Sequence, residues 1–270
     1  MRKNLWWIFS TLLLFAVTVI SWRPASNSDI INTNTKSSVT VNGKLTAKEL
    51  FEQYVSDIYQ TANLQQAGLN LAVFQKAVTG YTNLKLSNKL DQNSSIITVV
   101  DFTKSSKIKR MWIIDMLNKH LILNTWVAHG QGSGGDIAKE FSNNNESHQS
   151  SLGFYLTNEV YFGKHGRSLR LDGLDAGINS SARARGIVIH AADYVSQSAI
   201  NQLGRLGRSF GCPAVSPEVS ETVINTIKGK NMFFINGNDV NYDSKYLDET
   251  EAANYIADVL KPADNSIAKL

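Results

Sequence analysis

The chain has 270 residues, of which 43% are hydrophobic and 19% charged. This composition is typical of a folded globular protein and excludes a disordered or fibrous one. The formal net charge is only +4 and no run of five like charges occurs, so nucleic acid is not an expected partner. A single cysteine cannot form an internal disulfide.

The N-terminus has the charge and hydropathy order of an export signal. Arg2 and Lys3 precede an uncharged apolar stretch from Leu5 to about Ile20. Two interpretations stay open: residues 1–21 form a cleaved signal peptide, or they remain as an N-terminal membrane anchor. Both place the rest of the chain outside the cytoplasm, in the periplasm or cell envelope.

Residues 22–45 are rich in Ser, Asn and Thr and are interpreted as a linker. Residues 46–90 then have the apolar spacing of two helices. Thr46 and Glu49 form a candidate capping box at the start of the first helix, and Gly80 lies near the end of the second. We expect a helical appendage that packs on the domain that follows.

Residues 91–240 are predicted to be a β-rich catalytic domain, and 241–270 a C-terminal helix and tail. The predicted strands are Ser95–Phe102, Arg110–Leu117, His120–Ala128, Leu152–Thr157, Ser168–Leu171, Gly186–His190 and Met232–Asn236. The predicted helices of this part are Val219–Ile227 and Asp248–Leu260. The expected fold class is therefore mainly β (α+β), with helices at both ends.

One segment contains residues of nucleophilic chemistry. A run of β-branched residues ends at His190, which predicts a buried strand that delivers an imidazole. Cys212 follows Gly211 in a turn, and a thiol beside an imidazole can lose its proton and act as a nucleophile. The residues alone leave the alternative open that Cys212 is a small buried apolar residue and His190 a core histidine.

His190 followed by Ser209-x-Gly211-Cys212 resembles the signature of the L,D-transpeptidase (YkuD-like) family. The segments AHGQGSGG (128–135), SSLGFYLT (150–157), GKHGRSLRLDGLD (163–175) and IVIHAADYVS (187–196) resemble its branch with a Gly-Cys-Pro-Ala ending. The resemblance covers about Ser95 to Gly237. It implies a β-rich domain that forms a thioester between its cysteine and a peptidoglycan tetrapeptide stem, releases D-alanine and transfers the acyl group to an amine.

The resemblance also implies site residues. The catalytic set is Cys212, His190, Gly211 and Ser209. Two departures from the common family form are Phe210, where a second His is usual, and Pro213, near which an Arg is often found.

For the stem carboxylates, the favoured residue is Arg208, ahead of Arg183, Arg185 and Arg205. His129 and His165 lie in motif segments and are expected to contact substrate. Asp172, Asp175, Asp193 or a backbone carbonyl could orient His190.

Rival functions remain. Water as the acceptor makes the protein an L,D-carboxypeptidase, and a non-catalytic wall-binding protein could keep the same fold. A papain-like endopeptidase is disfavoured because its Cys precedes its His. The expected partners are peptidoglycan peptide stems, with no cofactor, no metal and a monomeric chain.

Overall fold

The computed structural model describes residues 45–91 and 93–260. The predicted signal peptide or anchor, the linker up to residue 44 and the last ten residues of the predicted tail lie outside the described residues. Within the described ranges, no helix combines the length and apolar character that crossing a membrane needs.

The predicted capping box at the first helix is confirmed. The Thr46 hydroxyl accepts a hydrogen bond from the Glu49 N–H at 3.2 Å, and the Glu49 carboxylate accepts one from the Thr46 N–H at 2.8 Å. These bonds satisfy N–H groups that have no partner inside the helix. The α-helices of the described ranges are α1 (Ala47–Thr61), α2 (Leu71–Leu86), α3 (Gln197–Leu203), α4 (Pro217–Ile227) and α5 (Glu249–Leu260).

The strands form one mixed eight-stranded sheet in the order β3-β2-β1-β8-β4-β5-β6-β7. They are β1 (Ile96–Asp101), β2 (Met111–Asp115), β3 (His120–Thr125), β4 (Gly153–Gly163), β5 (Gly166–Gly173), β6 (Val188–Ala191), β7 (Ala214–Val215) and β8 (Met232–Asn236). The pairs β1–β8 and β6–β7 are parallel, and the others are antiparallel. Together with the terminal helices, this sheet confirms the predicted fold class.

Apolar side chains cover both faces of the sheet. The neighbours Phe233 and Phe234 in β8 point to opposite faces, as residues in a strand do. Phe234 stacks on Phe154 at 4.5 Å between ring centroids on the face covered by α1, α2 and α5. Phe233 packs edge-on against Tyr155 at 6.4 Å on the face covered by α4. This double coverage makes the central strands almost wholly buried.

The structure differs from the predicted elements around the site. Strand β4 continues past the predicted Thr157 to Gly163, and β5 begins at Gly166, before the predicted Ser168. The two strands meet in a hairpin whose turn is Lys164-His165. The outer half of this hairpin is partly exposed, so it lacks the apolar run by which buried strands are recognised. The short elements α3 and β7 were also not predicted.

Candidate active site

The segment Ser209–Cys212 forms a braced turn at the edge of the sheet. The Ser209 hydroxyl donates a hydrogen bond to the Cys212 carbonyl at 2.6 Å and accepts one from the Gly211 N–H at 3.1 Å. The Ser209 N–H donates to the His129 carbonyl, and its own carbonyl accepts from the Gln131 N–H. Ser209 therefore fixes the turn from inside and links it to the Gly-rich loop.

Gly211 has a backbone conformation that other residues rarely adopt, with φ at +121°. A Cβ at this position would lie 2.9 Å from the Gln149 carbonyl oxygen and 3.2 Å from Cδ1 of Ile187. The turn therefore requires glycine both for its φ angle and for its close approach to neighbouring backbone.

The Cys212 thiol is half-buried beside the start of β6. Its sulfur accepts a hydrogen bond from the Val188 N–H at 3.4 Å and donates one to the Gly186 carbonyl at 3.6 Å. Burial raises the pKa of Cys212, while the Val188 N–H and the positive charge of Arg185 act in the opposite direction. The net upward direction favours a neutral thiol at rest.

His190 lies in β6 with 2% of its surface exposed. Its Nδ1 lies 2.8 Å from the Ala191 carbonyl oxygen, an acceptor that requires Nδ1 to carry the proton. Nε2 is then the basic nitrogen, and a backbone carbonyl orients the ring. Burial lowers the pKa of His190, and His165 lowers it further, against the opposing effect of the Ala191 carbonyl.

Strand pairing brings the predicted nucleophile and base into one region. His190 in β6 pairs with Ala214 in β7. Cys212 lies two residues before Ala214, and Pro213 links the two. Among the described residues, no hydrogen bond joins the thiol to the imidazole, because the thiol donates to the Gly186 carbonyl instead.

His165 lies on the exposed tip of the β4–β5 hairpin and stacks on His190, with 4.3 Å between ring centroids and 24° between ring planes. A cavity of about 430 Å³ adjoins it, and its other lining residues are Ala191, Ala192, Asp193, Tyr194 and Pro217. His165 is thus the predicted histidine that the structure brings to the His190 ring.

His129 is placed differently. Its side chain is 1% exposed, and its Nδ1 lies 2.7 Å from a guanidinium nitrogen of Arg110. Burial first, and then the charge of Arg110, lower the pKa of His129 to about 4. This burial argues against the substrate contact that the sequence predicts for His129 and indicates a role beneath the Gly-rich loop.

Arg110 was not predicted from the sequence as part of this region. It is fully buried and donates hydrogen bonds to the carbonyls of Val127 and Lys104. Burial lowers the pKa of Arg110 to about 9. Its position at the start of a strand gives no signal of this inward orientation, since most arginines there are exposed.

The four candidate arginines occupy different environments. Arg208 donates to the Gly134 carbonyl at 2.7 Å, and so supports the Gly-rich loop; its contact with a substrate carboxylate stays a prediction. Arg183 is exposed and paired with acidic side chains, and Arg205 donates to the carbonyl of its neighbour Leu206.

Arg185, which the sequence ranked behind Arg208, makes more hydrogen bonds around the Cys212 turn than expected. It donates to the carbonyls of Gln149 at 2.6 Å and Ser142 at 2.7 Å, and to the hydroxyls of Ser147 and Ser151. It therefore holds the Asn/Ser-rich segment 141–151 against the Cys212 turn while its charge acts on the thiol.

Phe210 forms part of the rim of the turn. It is 67% exposed and stacks on His148 at 4.5 Å between ring centroids. The residue that replaces the usual family histidine therefore lies on the surface, away from the His190 ring that His165 covers.

Comparison with known proteins gives a family. A family model described as an L,D-transpeptidase catalytic domain matches residues 65–236. No curated protein sequence matches this chain significantly.

Several solved structures are similar at low sequence identity. An L,D-transpeptidase from Mycobacterium smegmatis is 10% identical with a TM-score of 0.33, and the match covers 53% of this chain and 59% of that one. An L,D-transpeptidase from Mycobacterium tuberculosis H37Rv is 15% identical with a TM-score of 0.32, over 53% and 58% of the two chains. One from Xylanimonas cellulosilytica is 12% identical with a TM-score of 0.32, over 66% and 93%.

Proposed function

The chain belongs to the L,D-transpeptidase catalytic domain family, and from this we propose that it cleaves peptidoglycan tetrapeptide stems with Cys212 as nucleophile and His190 as base. The observation that carries the proposal is the pairing of β6 with β7. It holds a half-buried thiol and an imidazole oriented by a backbone carbonyl at one edge of the sheet.

The first half of the proposed reaction forms a thioester. The Cys212 sulfur bonds to the carbonyl carbon of the third stem residue while its proton passes to Nε2 of His190. The thiol must turn from the Gly186 carbonyl toward His190 for this transfer. When the tetrahedral oxyanion collapses, the C–N bond to the terminal D-alanine breaks, and His190 gives the proton to the departing amine.

Backbone N–H groups of the turn are the candidates for stabilising the oxyanion. The Cys212 N–H has no acceptor among the described residues, so it is available in the resting turn. The Gly211 N–H donates to the Ser209 hydroxyl and is available only if that bond exchanges. Pro213 has no N–H, which limits the donors to the residues up to Cys212.

The second half resolves the thioester. An acceptor amine attacks the thioester carbon and loses a proton to His190, and the sulfur leaves and takes up that proton. The two acyl-transfer steps together therefore return Cys212 and His190 to their resting forms. With water as acceptor, the product is a shortened stem and the protein is an L,D-carboxypeptidase.

The resting pair is proposed to be neutral. The pKa of Cys212 is shifted upward and that of His190 downward, both by burial, and both shifts disfavour a thiolate–imidazolium pair. His190 then acts as a general base during the attack rather than as the partner of a preformed thiolate. We place this activity outside the cytoplasm, where the stems are found.

Incubation of the full chain with tetrapeptide-containing muropeptides tests the proposal. We expect D-alanine release that falls below about a tenth of the wild-type rate in Cys212→Ser, and falls about 10²–10⁴-fold in His190→Ala. Mass spectrometry of the products separates cross-linked stems from tripeptide stems and so separates transfer to an amine from hydrolysis. Wall binding without any D-alanine release would favour the non-catalytic alternative.

A further inference from the structure

The His190 ring has one hydrogen-bond anchor in the described part of the chain and one aromatic ring stacked on its face. The anchor is the hydrogen bond from Nδ1 to the carbonyl of the adjacent Ala191. No Asp or Glu side chain of the described residues hydrogen-bonds to the ring, so it lacks the carboxylate that commonly orients a catalytic histidine. A single hydrogen bond to a neighbouring carbonyl does not by itself fix the tilt of the ring about that bond, so the tilt depends on what packs against the ring.

The β4–β5 hairpin supplies the missing contact. Ser168 of β5 pairs with His190 of β6, and His165 lies at the tip just before this strand. The tight turn is closed by the pair Gly163 and Gly166, the latter with φ at +73°. This geometry carries His165 past the end of β6 and lays its ring on the face of His190.

The geometry points to His165 as a positioning residue for His190. Its flat ring fixes the tilt of the base, and the Ala191 carbonyl fixes the rotation of the base within its own plane. Stacked aromatic rings attract each other beyond the area they bury, so the contact restrains the base without any covalent or metal bond. The Cys212 thiol contacts the start of β6, whereas His165 lies beyond the end of this strand. The stacking contact therefore does not cover the end of β6 at which the sulfur lies.

This role differs from the substrate contact that the family resemblance suggests for His165, and the two are separable by kinetics. A residue that holds substrate raises KM when it is removed, whereas one that orients the base lowers kcat. A stacking role needs a flat ring but does not need a ring nitrogen. Phe therefore fulfils it, and Asn does not. The inference rests on the proposed function, because it assumes that His190 is the base.

The test compares His165→Ala, His165→Asn and His165→Phe in the full chain with tetrapeptide muropeptides. We expect kcat to fall about tenfold in the Ala and Asn variants with KM within about twofold of wild type, because a misplaced catalytic group loses rate rather than binding. His165→Phe should keep at least about half of the wild-type kcat. His120→Ala is the matched control, since His120 is an exposed histidine at the start of β3, the strand at the opposite edge of the sheet.

A second measurement needs no wall substrate. Alkylation of Cys212 by iodoacetamide at neutral pH should slow in His190→Ala and in His165→Ala, and recover in His165→Phe. If muropeptides are not turned over by the wild type but this pattern holds, the transpeptidase proposal fails and the positioning role stands. A rise in KM with unchanged kcat, equal losses in the Ala and Phe variants, or full activity in His165→Ala would each overturn the positioning role.

Discussion

Gly211→Ala perturbs the turn at a single atom, and the structure gives the size of the effect. With φ at +121°, the backbone lies in a region that costs an L-residue about 1–3 kcal/mol. The added Cβ would also lie 2.9 Å from the Gln149 carbonyl oxygen, and such overpacking costs about 1–3 kcal/mol more. We therefore expect a loss of about 2–6 kcal/mol in the free energy of unfolding, or an equivalent displacement of the turn.

Gly68→Ala is the matched control for this change. Gly68 also has a positive φ, +77°, but a Cβ there meets nothing within 4 Å. It should lose only the backbone part, about 1–2 kcal/mol. Urea unfolding of both variants measures the difference in their free energies of unfolding. D-alanine release measures whether the Cys212 turn still supports activity. Gly211→Ala should lose at least about tenfold in kcat/KM while Gly68→Ala keeps wild-type activity. Equal stability losses in the two variants would refute the close-approach argument.

Three further predictions concern protonation and charge. Because burial lowers the pKa of His190, kcat/KM should persist to a pH below the ordinary histidine value of about 6.5 and fall as pH drops through the lowered pKa; an acid limb above 6.5 would contradict this. Because burial raises the pKa of Cys212, the alkylation rate of His190→Ala, which lacks the general base, should keep rising with pH past the ordinary thiol value of about 8.5; a plateau near neutral pH in that variant would contradict the raised pKa. Arg208→Lys should lower kcat/KM roughly tenfold, about 1.4 kcal/mol, with alkylation unchanged. Wild-type turnover would instead leave Arg208 as a support of the Gly134 carbonyl.

Local sequence signals predicted several elements that local interactions determine, although Gly80, expected near the end of the second helix, lies inside α2, which continues to Leu86. The Thr46–Glu49 capping box needs only residues three apart, and it is present as expected. The apolar run Met232–Asn236 predicted β8 with its observed bounds, because a fully buried strand is apolar on both faces. The strand predicted over Gly186–His190 is found as β6 over Val188–Ala191, so it begins two residues later and ends one residue later than predicted.

The parts that were missed depend on contacts between distant segments. The stack of His165 on His190 exists only because β5 pairs with β6, which no local pattern around either histidine indicates. Arg110 can be buried because carbonyls of Val127 and Lys104 accept its hydrogen bonds. Every residue has a backbone carbonyl, so the sequence does not indicate which carbonyls will accept these bonds. Strand β7 is two residues long, too short for any periodicity.

Some groups of this site are held by the sheet and others by loops. The β6–β7 pairing fixes the backbone of His190 relative to the residues just after Cys212, and strand pairing is stiffer than a loop contact. The proposed base therefore lies on a strand, and the proposed nucleophile lies next to one. The exposed Phe210 rim and the segment that Arg185 holds in place are loops beside this turn. Changes on those loops should alter the ratio of cross-linked to hydrolysed products, because binding surfaces on loops vary without disturbing the scaffold.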